Sequence, residues 1–501
     1  MHTPASLPTD RLARVPLSRQ AFLRLALAGT AAGVLTGTRP EAAAAAAATP
    51  APQLGIAPGN DARTNRDNLV RALTNSTASV FFPPGDYRLD NSAAANDGRS
   101  ALLIENFAGT LEMQNGAADS TPTARLVFTD PRQGGLYLHY ARYSPGATLI
   151  GVHATYAALP TIREEHSKGN ITFDNAISPT VRRLNVRGST GGGLVFWVCR
   201  TPSVDDAVVA DTMADGVHFA NCQDGYGNNI RCKNTGDDGI SFVSYTGGPA
   251  NTGGLLTNSS VTDSRTRGIT VIGQSDVTVD HFGVNWSAVA GLLVDRDGYA
   301  DRTPRNVVFQ NGFVYHGGGV TIPANPTNRY GIELADGDEV RLHHITVRDS
   351  HSRALTSTAT GTVRISRLAI ENAGKSGVNL TNGRHYITDV DGEPGITVTG
   401  SDNAGFVMTG SELLRYDTIV VADASRTDNL RRAFDFNGNK DIQGGTLRVI
   451  DDKNPATGYI VGAYGANTGH LGRIEHRAPH PPAGVPRVQN QSGSSLTYVL
   501  A

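Results

Sequence analysis

From residue 192 onward, apolar and polar positions alternate with a period of two in short bursts, and each burst opens on the same tetrapeptide, x-Gly-aliphatic-x. The copies are GGLV at 192, DGVH at 215, DGIS at 238, RGIT at 267, AGLL at 290, YGIE at 330, RALT at 353 and SGVN at 376. Successive starts differ in sequence number by 23, 23, 29, 23, 40, 23 and 23, so a single unit recurs and the two longer offsets mark copies that carry insertions. A fixed period of this size is the mark of a solenoid. The first and third residues after the Gly or Ala are mostly apolar, as in Leu194/Phe196, Val217/Phe219, Ile240/Phe242, Ile269/Val271, Leu292/Val294 and Ile332/Leu334. Such alternation describes strands with one face inward, and the 3.6-residue period of helical repeats is absent. The pattern therefore predicts an all-β chain wound as a parallel β-helix. Coils stacked about 4.8 Å apart place equivalent positions in ladders, with Phe196, Phe219 and Phe242 as one internal ladder. Cys199 and Cys222, separated by the same offset as the repeat, are predicted as neighbours on adjacent coils, either bonded or as two buried thiols.

Ahead of the repeat, residues 61–74 (DARTNRDNLVRALT) read as a short amphipathic helix with Leu69, Val70 and Leu73 on one side. Such a helix covers the strand edge that the first coil of a β-helix otherwise exposes. SVFFPPGDYRL at 79–89 reads as strand, turn and strand. Beyond about residue 400 the repeat loosens, but strand-like segments continue (FVMTG, TIVVAD, TLRVID, GYIVGAY), and APHPPAGVPR at 478–487 reads as a turn region before a last strand. No linker divides the chain, so residues 51–501 form one expected β-helix domain.

Residues 1–50 read as an export signal and alanine-rich linker. Arg11, Arg14, Arg19 and Arg24 stand before or at the edge of the apolar run LALAGTAAGVLTG. SRQAFLRLAL resembles a twin-arginine export signal with Gln20 in place of the second arginine, so either that route or general secretion is expected, and a secreted or extracytoplasmic location with it. The run is shorter than the roughly 20 residues of a bilayer span, and no later segment is apolar enough to cross a membrane.

Composition narrows the function classes. Gly numbers 57 and charged residues make up 18%, which suits a turn-rich β protein and excludes a disordered chain or a helical bundle. The net charge of −2 offers no basic field for nucleic acid. Three cysteines are too few for a disulfide scaffold and lack zinc-site spacing. Nothing in the sequence bears on oligomeric state.

Stacking turns register into geometry. The residue before each repeat glycine runs Gly192, Asp215, Asp238, Arg267, Ala290, Tyr330, so Asp215, Asp238 and Arg267 form a predicted column, with Asp237 beside it and His218 on the outward side of its strand. Carboxylates this close cannot all ionise independently, which is how an acid and a base arise from one residue type. The competing reading treats the Asp-Gly pairs at 215, 224 and 238 as coil corners. A corner, however, needs one turn-former rather than three acids and a guanidinium.

ADGVHF at 214–219 followed by TGDDGISF at 235–242 resembles the polygalacturonase-type glycoside hydrolases of the pectin-lyase superfold, whose motifs are N-T-D-G and G-D-D. FFPPGDY at 81–87 resembles an N-terminal element of the wider superfamily. The resemblance implies a right-handed parallel β-helix, with Asp215 as general acid and Asp237 with Asp238 as the pair holding the attacking water, in an inverting hydrolysis that requires no cofactor. The chain departs from that family at Met213-Ala214-Asp215, at Thr266-Arg267-Gly268 where the family has G-H-G, and at AGLLVDRDGY (290–299), which lacks R-I-K. Without the basic pair that grips a uronic acid, a neutral or differently charged polysaccharide or oligosaccharide is the expected substrate. Arg267, His218, Arg296 and Tyr245 are the expected substrate contacts. Two other classes fit the same residues: a polysaccharide lyase with calcium on the three aspartates and Arg267 or Lys233 as base, and a non-catalytic glycan-binding β-helix. In all three, loops after Asp238, around Asp295 to Tyr299 and from His316 to Tyr330 wall the binding face.

Overall fold

The alternation becomes a coil because each short strand is followed by a turn onto the next face, and the chain returns one strand spacing further along the axis. The computed structural model describes residues 48–500 apart from 96–100, 165–167, 250–251, 320–328, 360, 427–431, 451–459, 478–487 and 491–492. The expected export signal and the proline-rich turn region at 478–487 fall outside the described residues. Two sheets, one of 15 strands and one of 21, wind together as a right-handed parallel β-helix. The chain is already in the solenoid at Thr49–Pro50, which pairs with Val80 and Phe81, two residues before the expected boundary.

The 15-stranded sheet follows the register that the sequence period requires: Leu194 pairs with Val217, Val217 with Ile240, Ile240 with Ile269, Ile269 with Leu292 and Leu292 with Ile332. Both insertions leave this register untouched, since Ile240 still pairs with Ile269 and Leu292 with Ile332 across them. The predicted phenylalanine ladder forms and extends one coil further. Ring centroids are 5.4 Å apart from Phe173 to Phe196, 5.3 Å from Phe196 to Phe219 and 4.7 Å from Phe219 to Phe242.

The long strands of the 21-stranded sheet bend midway, each at a left-handed residue: Asp206, Asn229, Asn258, His281 and Asn311 on successive coils, with φ between 51° and 61°. Asn and Asp tolerate this conformation better than most residues, and stacking lets Asn229 Nδ2 donate to Asp206 Oδ1 at 3.0 Å. The repeat glycine has another cause. A Cβ on Gly216 would lie 2.5 Å from the Gly239 carbonyl oxygen and 2.6 Å from Cys232 Sγ, so only glycine lets the two sheets approach at that edge. The Asp-Gly pairs at 215 and 238 are thus not exposed corners; only Asp224, exposed and left-handed, serves that purpose.

The helix Ala62–Leu73 starts on Asp61, whose carboxylate accepts from the Thr64 N–H at 2.8 Å, and it buries Leu69 and Leu73 in the solenoid core, with Val70 packed against it. The other end finishes on strand Ser495–Leu500, where Val499 and Leu500 are exposed. Cys199, Cys222 and Cys232 are free and buried. The two expected neighbours are therefore not bonded to one another, and burial, with the neighbouring Cys199 adding to it, pushes the Cys222 thiol well up. Among the described residues no helix is long and apolar enough to cross a membrane.

Candidate active site

The column expected from register is present: Gly193 N–H donates to the Asp215 carbonyl, Gly216 to Asp238 and Gly239 to Arg267. It sits at the edge of the 15-stranded sheet. There the residues after each glycine turn alternately into the core and onto an outer row reading Val195, His218, Ser241, Thr270, Leu293 and Glu333. Asp215, Asp237 and Asp238 converge so that one oxygen of each lies within 4.8 Å of the others, and these three are the described residues that could together hold a cation.

Each acid has its own surroundings. Asp215, 3% exposed, accepts from the Ser241 hydroxyl at 2.7 Å and from the Asp238 N–H at 3.2 Å, and makes a short contact with His218 Nδ1. Asp237 is the most open, its Oδ2 held by Arg163 at 2.6 Å and its Oδ1 by the Thr266 hydroxyl at 2.6 Å. Asp238, 4% exposed, meets the same Thr266 hydroxyl at 2.8 Å, with Arg267 at 3.6 Å. Burial raises the Asp238 carboxyl to about 7; Arg267 opposes the shift, and Asp215 and Asp237 reinforce it. One hydroxyl hydrogen cannot serve two carboxylates fully. A proton on Asp238 donated to Thr266, with Thr266 donating to Asp237, satisfies both contacts.

Of the expected substrate contacts, Arg267 lies in the cluster. Burial works against its charge, but Asp238, Asp237, Asp297 and Glu333 outweigh burial and lift the guanidinium further. Tyr245 is also present, its hydroxyl 3.3 Å from His218 Nε2 and pushed up by burial. His218 stands on the outer row, as its register requires; it is only 3% exposed and bonded through both ring nitrogens, and it holds Asp215. Arg296 is not brought to the acids; it lines a neighbouring open cleft and faces Asp336 at 4.0 Å, because its loop turns Asp297 rather than Arg296 towards Arg267. Lys233 is exposed on the strand Gly225–Thr235 of the second sheet.

No protein-family model matches the chain, and no curated protein matches it by sequence. Solved structures do match in shape. The catalytic domain of a glycoside hydrolase family 87 α-1,3-glucanase in complex with nigerose has a TM-score of 0.46 at 13% identity, over 88% of this chain and 68% of that one. The catalytic unit of the family 87 α-1,3-glucanase of Streptomyces thermodiastaticus strain HF3-3 gives 0.38 at 13%, over 90% and 69%. The Yersinia enterocolitica family 28 exopolygalacturonase gives 0.47 at 12%, over 79% and 77%.

Several residues of the site carry no signal in the sequence pattern. Arg163 lies on a loop outside the repeat and reaches Asp237 across 74 residues of sequence, with no period to mark it. Ser241 and Thr266 look like ordinary strand and turn residues; the outer row, read coil by coil, distinguishes Ser241 alone, and Thr266 stands one residue before Arg267. Glu333 stands on the outer row and is raised to about 7 by burial, with Asp295 adding to the shift and Arg267 opposing it. Two of the three expected loops meet, since Thr246 N–H donates to the Tyr299 carbonyl at 2.8 Å, joining the insertion after Asp238 to the loop around Asp297, whereas most of the loop from His316 to Tyr330 lies outside the described residues. A small apolar cluster of Val243, Ile272, Leu293 and Ala300 seats them on the outer face.

Proposed function

We propose that this chain hydrolyses glycosidic bonds of a polysaccharide or oligosaccharide, with inversion, and acts outside the cytoplasm. The observation that carries the reading is the Thr266 bridge between a buried, proton-holding Asp238 and an open Asp237 held by Arg163. Two like groups with environments that separate their proton affinities are what acid and base assignments require. In this scheme the Asp237/Asp238 pair, holding one proton, gives it to the leaving glycosidic oxygen as the bond from the anomeric carbon breaks. A water attacks that carbon and loses its proton to Asp215, which the hydrogen bonds from Ser241 and the Asp238 amide suit to carboxylate form. The acid role thereby moves from Asp215, where the family resemblance put it, to the pair. One oxygen of each acid within 4.8 Å is tighter than the about 6.5–9.5 Å between carboxyl groups usual for inversion, so stereochemistry is the sharpest point to test.

The reading is tested by incubating the protein with a panel of plant, fungal and bacterial glycans and following reducing ends, with product anomers read by proton NMR. New reducing ends of inverted configuration, lost in Asp238→Asn, support it; retention refutes the inverting mechanism. A second reading, elimination with calcium, is favoured by the clustering of the three carboxylates. It requires new ultraviolet absorbance from an unsaturated sugar and loss of activity in a chelator. Binding without turnover leaves a glycan-binding solenoid.

A further inference from the structure

On the outer face of the 15-stranded sheet, towards the N-terminal end from the acids, lies a group of side chains that hydrolysis itself does not use. Trp197 pairs with Ala220 on one side and Asp174 on the other, and Asp174 pairs with His139. Asp174 Oδ2 accepts from the Tyr137 hydroxyl at 2.9 Å and lies 2.8 Å from His139 Nδ1. The contact with Asp174 fixes the orientation of the His139 ring; its side chain is 40% exposed, and Nε2 has no partner among the described residues, so that ring edge is open to a ligand hydroxyl. Nothing in the packing of the solenoid calls for this group, because the core is complete on the inner face of the same strands. The Tyr245 ring lies 5.4 Å from Trp197 and 5.9 Å from His218, so an aromatic ledge runs from Trp197 to the residue that holds Asp215.

We infer that Trp197, His139 and Asp174 form a saccharide subsite for neutral hexose units, and that the substrate lies lengthwise along the solenoid axis. Tyr245 stacks on one side of the half-buried Trp197 indole, and the indole surface left open meets the C–H face of a pyranose, while Asp174 accepts from ring hydroxyls and His139 Nε2 hydrogen-bonds with them. A uronate placed here would meet the Asp174 carboxylate, and a like-charge meeting of that kind is a device for rejecting the wrong partner. At about 4.8 Å per coil, Trp197 lies about 10 Å and His139 about 19 Å from the coil of Asp238. A disaccharide at the acids therefore cannot reach His139, whereas a chain of four or five units does. The inference rests on the hydrolase reading only for where the cut falls; the subsite itself is a matter of binding.

The test uses the full chain carrying Asp238→Asn, titrated by calorimetry with gluco-, galacto- and manno-oligosaccharides of two to six units and with oligogalacturonates of the same lengths. Only two tryptophans are present, Trp197 and Trp286, so Trp286→Phe in the same background makes fluorescence report Trp197 alone. A neutral series should bind about tenfold more tightly at five units than at two, with a change in Trp197 fluorescence. Trp197→Ala, or the exposed His139→Ala if the first folds poorly by circular dichroism, should lose that gain and leave the disaccharide unaffected. Affinity independent of length, preference for oligogalacturonates, retention of the gain in both variants, or no binding at all would each overturn the subsite. The unsubstituted enzyme separates the two readings. Cleavage with length-independent binding sinks the subsite alone, and Trp197-dependent binding without cleavage sinks the hydrolase alone.

Discussion

The strands of the 15-stranded sheet present two rows that differ only in which way alternate residues face. Inward, Phe173, Phe196, Phe219 and Phe242 stack ring on ring; outward, one residue away, His218, Ser241 and Glu333 stand on the row beside the three aspartates. A ladder rewards identical apolar neighbours, since each ring buries the next and gains dispersion contacts. The same ladder penalises identical acids, since each raises the free energy of ionising the next. An apolar ladder therefore needs no function to explain it. A carboxylate ladder persists where its strained proton equilibrium has a use.

The strongest attempt to break this contrast is Asp238→Asn, which keeps shape and removes the proton. Glycan cleavage should fall about a thousandfold while the thermal midpoint stays level or rises, because a buried carboxyl is replaced by a neutral amide. A large loss of stability with activity intact would reverse the roles of the two rows. On the inner row, Phe219→Ala should cost about 3–5 kcal/mol in denaturant unfolding and leave the activity of the folded fraction near that of the parent.

A third case sets an inward polar residue against its apolar neighbours. His385 pairs with Val363 and Leu414, is fully buried, and has neither ring nitrogen bonded among the described residues; burial lowers it to about 4. Its folded value lies below the unfolded value of 6.5, so its neutral form is fully accommodated above that value, and stability is lost as pH falls from 6.5 towards 4. The loss is roughly 3 kcal/mol, and His385→Leu should remove that share of acid sensitivity in unfolding titrations.

The smallest expected effect sharpens the outer row. With the Asp238 carboxyl at about 7, its proton is present below that pH and lost above it, so kcat should fall on the alkaline side. Arg267 holds the value down, so Arg267→Gln should move that limb upward in a pH–rate profile, and a downward move would refute the assigned acid.

The fold was legible because a solenoid writes its pitch into the sequence: the recurring offset alone placed Asp215, Asp238 and Arg267 in one column and Phe196 beneath Phe219. The helix over 61–74 was legible through the spacing of Leu69, Val70 and Leu73, while the Asp61 cap that starts it is seen only in the structure. What stayed hidden depends on side chains that leave the lattice. Arg163 and the loop bearing Arg296 and Asp297 lie off the repeat, where no period fixes which residue turns inward. The burial of His218 followed from Tyr245 folding back over it, a contact between an insertion and a strand that register alone does not encode.

The two ends of the molecule are unequal. The helix Ala62–Leu73 covers the core near the first coils, whereas Ser495–Leu500 pairs on one side only among the described residues and leaves Val499 and Leu500 exposed. Since each coil touches mainly its neighbours, opening passes turn by turn like a zipper, and the aspartate coils, many turns from Ser495–Leu500, are shielded from any fraying that starts at that strand.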